Sequence, residues 1–279
     1  MPYCKVSDGL QLYYEDFGDG PSIVFTAAGN LTHRMWEGQV AALAERYRTI
    51  TYDWRGTGDS DKPRSGYTAE AVAGDLCTLM ERLDAAPAVL VGHGLGAHIC
   101  LLAATARPAL VKALVLVSAA PWFGAERDGA VGGVSEEFLR FLGERTGMGE
   151  GHGIPYAQAC ADLNEWLFHR PQSPAVLTWI LEQAVAWPQV VINAYARSMR
   201  DIDHRERLGR IDCPTLIIQG RHDRKQRYEG AAYMASRIRG ARLVTLEESA
   251  HMGEIEELNR FNAAVIDFLE EVQALERVA

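Results

Sequence analysis

The chain has 279 residues, 48% hydrophobic and 23% charged, the balance of an ordinary globular protein with a full-sized core. Its formal charge of -9, from 28 basic and 37 acidic side chains, excludes the clustered basic footprint of a nucleic-acid binder. Five cysteines without a C-x-x-C pair indicate neither a disulfide framework nor a zinc cluster, and no stretch reaches the roughly 20 apolar residues of a membrane span.

Met1 to Gln11 lacks the apolar region of a signal peptide, so a soluble cytoplasmic chain is expected. In chain order, Tyr3 to Val6 and Leu10 to Tyr14 flank Ser7-Asp8-Gly9, which predicts an antiparallel hairpin. Strand patterns follow at Gln11 to Asp16, Ser22 to Thr26, Arg48 to Tyr52, Ala88 to Val91, Lys112 to Val117, Thr215 to Ile218 and Arg242 to Leu246. Between them, Ala69 to Leu83 and Leu95 to Thr105 carry apolar residues at helical spacing. This alternation predicts an α/β fold, a parallel sheet covered on both faces.

From Pro121 to Asp212 the strand rhythm gives way to an aromatic-rich helical pattern, divided by Pro155, Pro171, Pro174 and Pro188. The expected plan is a core of residues 1–120 and 213–279 with a helical insertion at 121–212, closed by an amphipathic helix over Ile255 to Ala274.

Chemistry concentrates first at Val89-Leu90-Val91-Gly92-His93-Gly94-Leu95-Gly96-Ala97, a strand entering a tight turn and leaving as a helix. The flanking glycines fit a G-x-S-x-G elbow, in which a strained central residue projects its side chain above the sheet. The central residue is Gly94. The same run satisfies G-x-G-x-x-A, a dinucleotide fingerprint, but Leu116-Val117-Ser118-Ala119 offers no acidic residue at the end of the next strand.

Three further segments complete a pattern. Asp53-Trp54-Arg55-Gly56-Thr57-Gly58-Asp59-Ser60 resembles the D-x-R-G-x-G-x-S loop of α/β hydrolases, Gly220-Arg221-His222-Asp223 their acid turn, and Ser249-Ala250-His251 with Glu256 their late histidine segment. Across nearly the whole chain the sequence is similar to α/β hydrolases of the esterase, lactonase and C-C hydrolase type. That resemblance implies a mostly parallel eight-stranded sheet flanked by helices, with an inserted helical cap. It implies Asp223 as acid, His251 as base, and Gly94 where the nucleophilic serine stands. Oxyanion-holding amides are expected at Leu95 and within Ala28-Gly29, where Ala27-Ala28 replaces the family's His-Gly.

Substrate contacts are expected from Asn30, His93, Trp122, Trp166 and Trp187. His33, His98, His152, His169, His204 and His222 carry no such spacing and read as surface, packing or pocket residues, and the Asp53 loop reads as structural. An aromatic-rich lid over the sheet edge favours a small hydrophobic or aromatic substrate, with no metal and no cofactor. Three functions remain open. The chain is a hydrolase whose serine has been replaced, naturally or by engineering. It is an enzyme that works without a nucleophile, His251-Asp223 acting as base on water or on a substrate proton. Or it is a binding protein on the same scaffold.

Overall fold

The computed structural model describes residues 2–123, 126–127, 130–131, 133–146 and 154–277; His152 lies outside them. Among the described residues there are ten strands: β1 (Tyr3–Lys5), β2 (Gln11–Phe17), β3 (Ser22–Thr26), β4 (Arg48–Tyr52), β5 (Ala88–His93), β6 (Val111–Val117), β7 (Glu126–Arg127), β8 (Ala130–Val131), β9 (Thr215–Gly220) and β10 (Arg242–Leu246). Eight of them form one sheet in the order β1-β2-β4-β3-β5-β6-β9-β10. β1 and β2 pair antiparallel, as the hairpin pattern predicts, and β2 is antiparallel to β4. From β4 to β10 every pairing is parallel. The two-residue pair β7-β8 forms a separate antiparallel ribbon that the sequence pattern did not reveal.

The central strands read as unbroken apolar runs because both of their faces are buried. Along β5, Val89 and Val91 point to one core while Ala88 and Leu90 point to the other, the period-2 alternation of a strand. The first core is closed by helices α1 (Glu37–Leu43) and α12 (Leu258–Glu276), through Leu43, Phe261, Val265, Phe268 and Leu269. The second is closed by α2 (Ala69–Arg82), α3 (Leu95–Ala106) and α10 (Tyr228–Arg237), through Leu76, Met80, Ile99, Leu101 and Met234.

Between β6 and β9 the chain runs through α4 (Glu136–Thr146), α5 (Tyr156–Asp162), α6 (Asn164–Leu167), α7 (Pro174–Val185), α8 (Gln189–Met199) and α9 (Arg205–Leu208). Three prolines mark helix starts: Pro155 precedes α5, Pro174 opens α7 and Pro188 precedes α8. At such positions the missing N–H costs nothing, since the first turn of a helix has no internal acceptor for it. Val134, Phe138, Phe141 and Trp166 form a small apolar cluster of their own in this stretch.

The C-terminal helix differs from expectation. It is two helices, α11 (Gly253–Glu256) and α12, separated at Glu257, whose φ of -120° is not helical. The cause is side-chain chemistry: the Glu257 carboxylate accepts hydrogen bonds from the Glu248 N–H and the Ser249 hydroxyl, at 2.9 and 2.7 Å. Among the described residues no single helix is long and apolar enough to cross a membrane.

Candidate active site

The parallel strands end at one edge of the sheet, and each contributes a loop there, the usual place for chemistry in such sheets. Gly94 follows β5 with φ 55° and ψ -114°, a conformation that side-chain-bearing residues adopt only under strain. A Cβ at Gly92 would lie 2.6 Å from the Gly96 carbonyl oxygen, and one at Gly96 would lie 2.4 Å from that of Ala27. The flanking glycines are thus required by contact, and the turn keeps the geometry of an elbow although its central side chain is absent. A Cβ at Gly94 would meet only the His251 ring within 4 Å, with Nε2 at 3.5 Å. The imidazole therefore stands directly over this glycine, in the space that a dinucleotide pyrophosphate would need.

Asp223 and His251 come together although 28 residues separate them. The His251 Nδ1 is 2.8 Å from the Asp223 Oδ2. That oxygen also accepts from the Gln219 side-chain amide at 3.1 Å, while Oδ1 accepts from the backbone N–H groups of Lys225 and Gln226, each at 2.9 Å. Four donors thus surround the Asp223 carboxyl group, and its bond to Nδ1 fixes the tautomer that leaves the far ring nitrogen free. His251 is held from behind as well: its carbonyl oxygen accepts from the Ser118 hydroxyl, and the His93 Nε2 lies beside it, both at 2.8 Å. The two loops can run this close because β9 ends in Gly220, where any Cβ would collide with the Ala250 carbonyl at 1.9 Å. Glu256, on α11, ties down the same region, accepting from Ala250 N–H on one oxygen and from His169 and Arg170 N–H on the other.

His251 Nε2 is buried and has no hydrogen-bond partner among the described residues. Burial chiefly, and then the positive charge of Lys225, lowers the imidazole pKa below its ordinary 6.5, against the opposing pull of Asp223. His251 is therefore a neutral base at pH 7. Burial also lowers Lys225 to about 8, resisted by Asp223. Behind the histidine, Glu254 is raised to about 8 by burial, so it is protonated at neutral pH.

Oxyanion donors were expected at Ala28, Gly29 and Leu95. The Ala28 N–H is already engaged with the Met35 sulfur at 3.1 Å, which removes it from that role. The amides of Gly29 and Leu95 make no hydrogen bond within the described residues, and both residues line the cavity beside Gly94 and His251. A Cβ at Gly29 would fall 2.5 Å from the Leu95 side chain, so the two segments are in direct contact.

The cavity over this floor is walled by Phe123, Phe138, Phe141, Leu163, Ile192 and Ala196. Of the expected substrate contacts only Asn30 lines it. His93 is fully buried behind His251, with ring centroids 4.6 Å apart. Trp122 packs against Tyr233 and beneath Arg205, and Trp187 against Trp54 and Tyr195 while donating to the Leu31 carbonyl. Trp166 supports the wall from behind Phe138 and Phe141. Trp166 joins the small cluster of its own segment, whereas Trp122 packs on α10 and Trp187 joins the main core; smaller phenyl rings took the cavity face. Sequence reasoning also missed the polar lining: Arg145, Tyr156, Asn193, Lys225 and Gln226. Lys225 and Gln226 carried a usable signal, lying just past the acid in its own loop; the others carried none.

The remaining residues are structural. Asp53 accepts from the N–H of His33 and of Asp59 and pairs with the His33 ring at 2.9 Å, and Arg55 forms a two-bond ion pair with Asp75. His98 and His204 stack as a buried pair, whereas His169 and His222 stack toward the surface. No group of three or more His, Cys, Asp or Glu among the described residues is arranged to hold a metal ion.

A mostly parallel sheet whose strand ends gather an elbow turn, a buried carboxylate and a free imidazole nitrogen defines an enzyme of the hydrolase class. Residues 23–264 match the model of the alpha/beta hydrolase family, and the chain belongs to that family. An AB hydrolase superfamily protein of Bacillus subtilis is 30% identical over 268 residues, covering 95% of this chain and 98% of that protein. Among solved structures, an esterase from Exiguobacterium antarcticum superposes with a TM-score of 0.88 at 28% identity, covering 96% of this chain and 98% of that one. An enol-lactonase from Burkholderia xenovorans gives 0.82 at 27%, covering 96% and 100%.

Proposed function

We propose that this hydrolase attacks its substrate with water directly, His251 serving as general base and Asp223 as its orienting acid, with no covalent acyl-enzyme at Gly94. The observation that carries this reading is the unpartnered His251 Nε2, 3.5 Å from where a Cβ at Gly94 would stand. A water in that place gives a proton to Nε2 while its oxygen bonds to the substrate carbonyl carbon. The resulting oxyanion is held by the Gly29 and Leu95 N–H groups, and the imidazolium returns the proton to the leaving oxygen as the bond to carbon breaks. The neutral state of His251 at pH 7 supports the base role. An intact acid-base pair, with Asp223 held by four donors and one imidazole nitrogen left open, weighs against a purely binding protein, whose scaffold has no need of it.

The substrate class follows from the apolar walls and from the esterase and enol-lactonase among the similar structures: a small ester, lactone or activated C-C compound with a hydrophobic or aromatic body. Residues 121–212 serve as a cap over a core of residues 1–120 and 213–279. Five cysteines, all free, fit a cytoplasmic enzyme. The reading is tested by pre-steady-state hydrolysis of 4-nitrophenyl esters by this chain and by Gly94→Ser. This chain should release nitrophenol linearly from the first turnover, and the serine variant should show an acylation burst. A burst in this chain, or activity confined to the serine variant, would overturn it.

A further inference from the structure

The cavity is apolar on most of its surface, yet the described residues that line it include two cations and no carboxylate. This is notable in a chain whose formal charge is -9. Lys225 is the deeper of the two. Its ammonium makes no hydrogen bond or ion pair among the described residues and lies 5.1 Å from the centre of the Phe138 ring. Asp223 is close by, but both of its oxygens are occupied by the four bonds described above. Lys225 also lines a smaller recess that shares Gly29, Asn30 and His251 with the main cavity, so it stands where the two spaces meet, beside the base. Arg145 lies further along the same wall, 5.7 Å from the centre of Phe141, whose ring is stacked at 6.2 Å from that of Phe138. Among the described residues its Nε is buried without a hydrogen-bond partner, and it makes an ion-pair contact with Asp162 at 3.5 Å.

Lys225 is half-buried, and an ammonium partly desolvated against an apolar wall with no anion on it is stabilised by a ligand that supplies one. We propose that the substrate is an amphipathic acid, its carboxylate bound by the Lys225 ammonium and its apolar body lying along Phe138, Phe141, Leu163 and Ile192. The proposal rests on reading this cavity as the substrate site, and it narrows the hydrophobic substrate expected from the aromatic content to one bearing a negative charge. It also gives Lys225 a consequence for the chemistry. The free ammonium opposes protonation of His251, and a bound carboxylate cancels that opposition, so the base gains strength as the substrate arrives.

Binding can be measured without turnover, which separates this proposal from the water-attack mechanism. Calorimetric titration would use ω-phenylalkanoates, from phenylacetate to 6-phenylhexanoate, and the corresponding primary amides, against this chain and against Lys225→Met, Lys225→Arg and His251→Ala. Nζ takes part in no hydrogen bond among the described residues, and an unchanged melting temperature in Lys225→Met would confirm that the cavity survives. The best-fitting acid should bind this chain at least about tenfold more tightly than its amide, as expected for a charge-assisted contact. That preference should vanish in Lys225→Met and persist in Lys225→Arg and His251→Ala. An acid bound no better than its amide, a preference unchanged in Lys225→Met, or no binding by any member of the series would overturn the proposal. Loss of hydrolysis in His251→Ala with the acid preference intact would leave it standing; loss of the preference in Lys225→Met with a turnover burst in the parent would sink the mechanism and not the binding site.

Discussion

The floor and the roof of the cavity are built on different principles. The floor is made of strand ends and the loops that follow them, and the groups that orient the base are tied down: Asp223 has four hydrogen bonds, the His251 carbonyl has two partners, and Glu256 and Glu257 tie its loop to the helices beyond. The roof is made of short helices between prolines, packed by aromatic rings, with Arg145 and Asn193 each carrying a buried polar atom that has no partner among the described residues. A tied-down floor suits the positioning of chemistry, and a mostly apolar roof suits the receipt of a ligand. On the proposed reading, reaction type belongs to the floor and substrate choice to the roof, with Lys225 on the boundary between them.

The largest effect should come from breaking the floor. In Asp223→Asn the side-chain oxygen can still accept from the Lys225 and Gln226 N–H groups, but its NH2 then faces the His251 Nδ1 and stabilises the wrong tautomer. Ester hydrolysis should fall on the order of 10⁴-fold with little change in KM, as when the acid of a triad is made an amide. A drop confined to KM would mean that Asp223 only shapes the cavity. Next, Gly94→Ala puts a methyl group into the place of the proposed attacking water and gives a side chain to a residue at φ 55°. Turnover should fall about 10- to 100-fold. Stability should fall by about 1–3 kcal/mol, read as a lower melting temperature.

The boundary between floor and roof is sharpened by pH. His251 has a depressed pKa, so turnover should be lost only as the pH falls below the ordinary histidine value of 6.5. Lys225 sits at about 8, so substrates that carry a carboxylate should also lose affinity as the pH rises through that value, whereas neutral esters should not. An alkaline limb shared by neutral and acidic substrates would assign it to another group. The smallest effect concerns Glu254 behind the site. Its folded-state pKa of about 8 exceeds the ordinary 4.5, so the folded protein holds a proton that the unfolded chain releases, and stability declines as the pH rises between those values. Glu254→Gln removes this dependence. Its melting temperature should exceed the parent's by at least about 3 °C at pH 9 and match it near pH 4.5.

The floor was legible in the sequence because its chemistry leaves covalent traces. Gly92, Gly96 and Gly220 are glycines because neighbouring backbone leaves no room for a Cβ, and Asp223 and His251 occupy short loops whose position after a strand fixes their direction. The strands were legible too, since both faces of β5 and β6 are buried and their apolar runs are unbroken. What escaped were choices made by packing. Nothing in the pattern says that Trp122, Trp166 and Trp187 turn away while Phe138 and Phe141 face the cavity, because an aromatic ring serves either place. Ala28 was lost as an oxyanion donor to a sulfur seven residues away, a contact no local motif encodes. The break at Glu257 has the same origin, a carboxylate recruited by a loop rather than by its own helix.

The central claim is that a histidine-aspartate pair, without a nucleophile, activates water. It is tested most directly by comparing kcat for a neutral 4-nitrophenyl ester between this chain and His251→Ala at pH 7.5. The account predicts a loss on the order of 10³- to 10⁴-fold with KM nearly unchanged, because the imidazole acts in the transition state and not in ground-state binding. Equal turnover by the two proteins would contradict it.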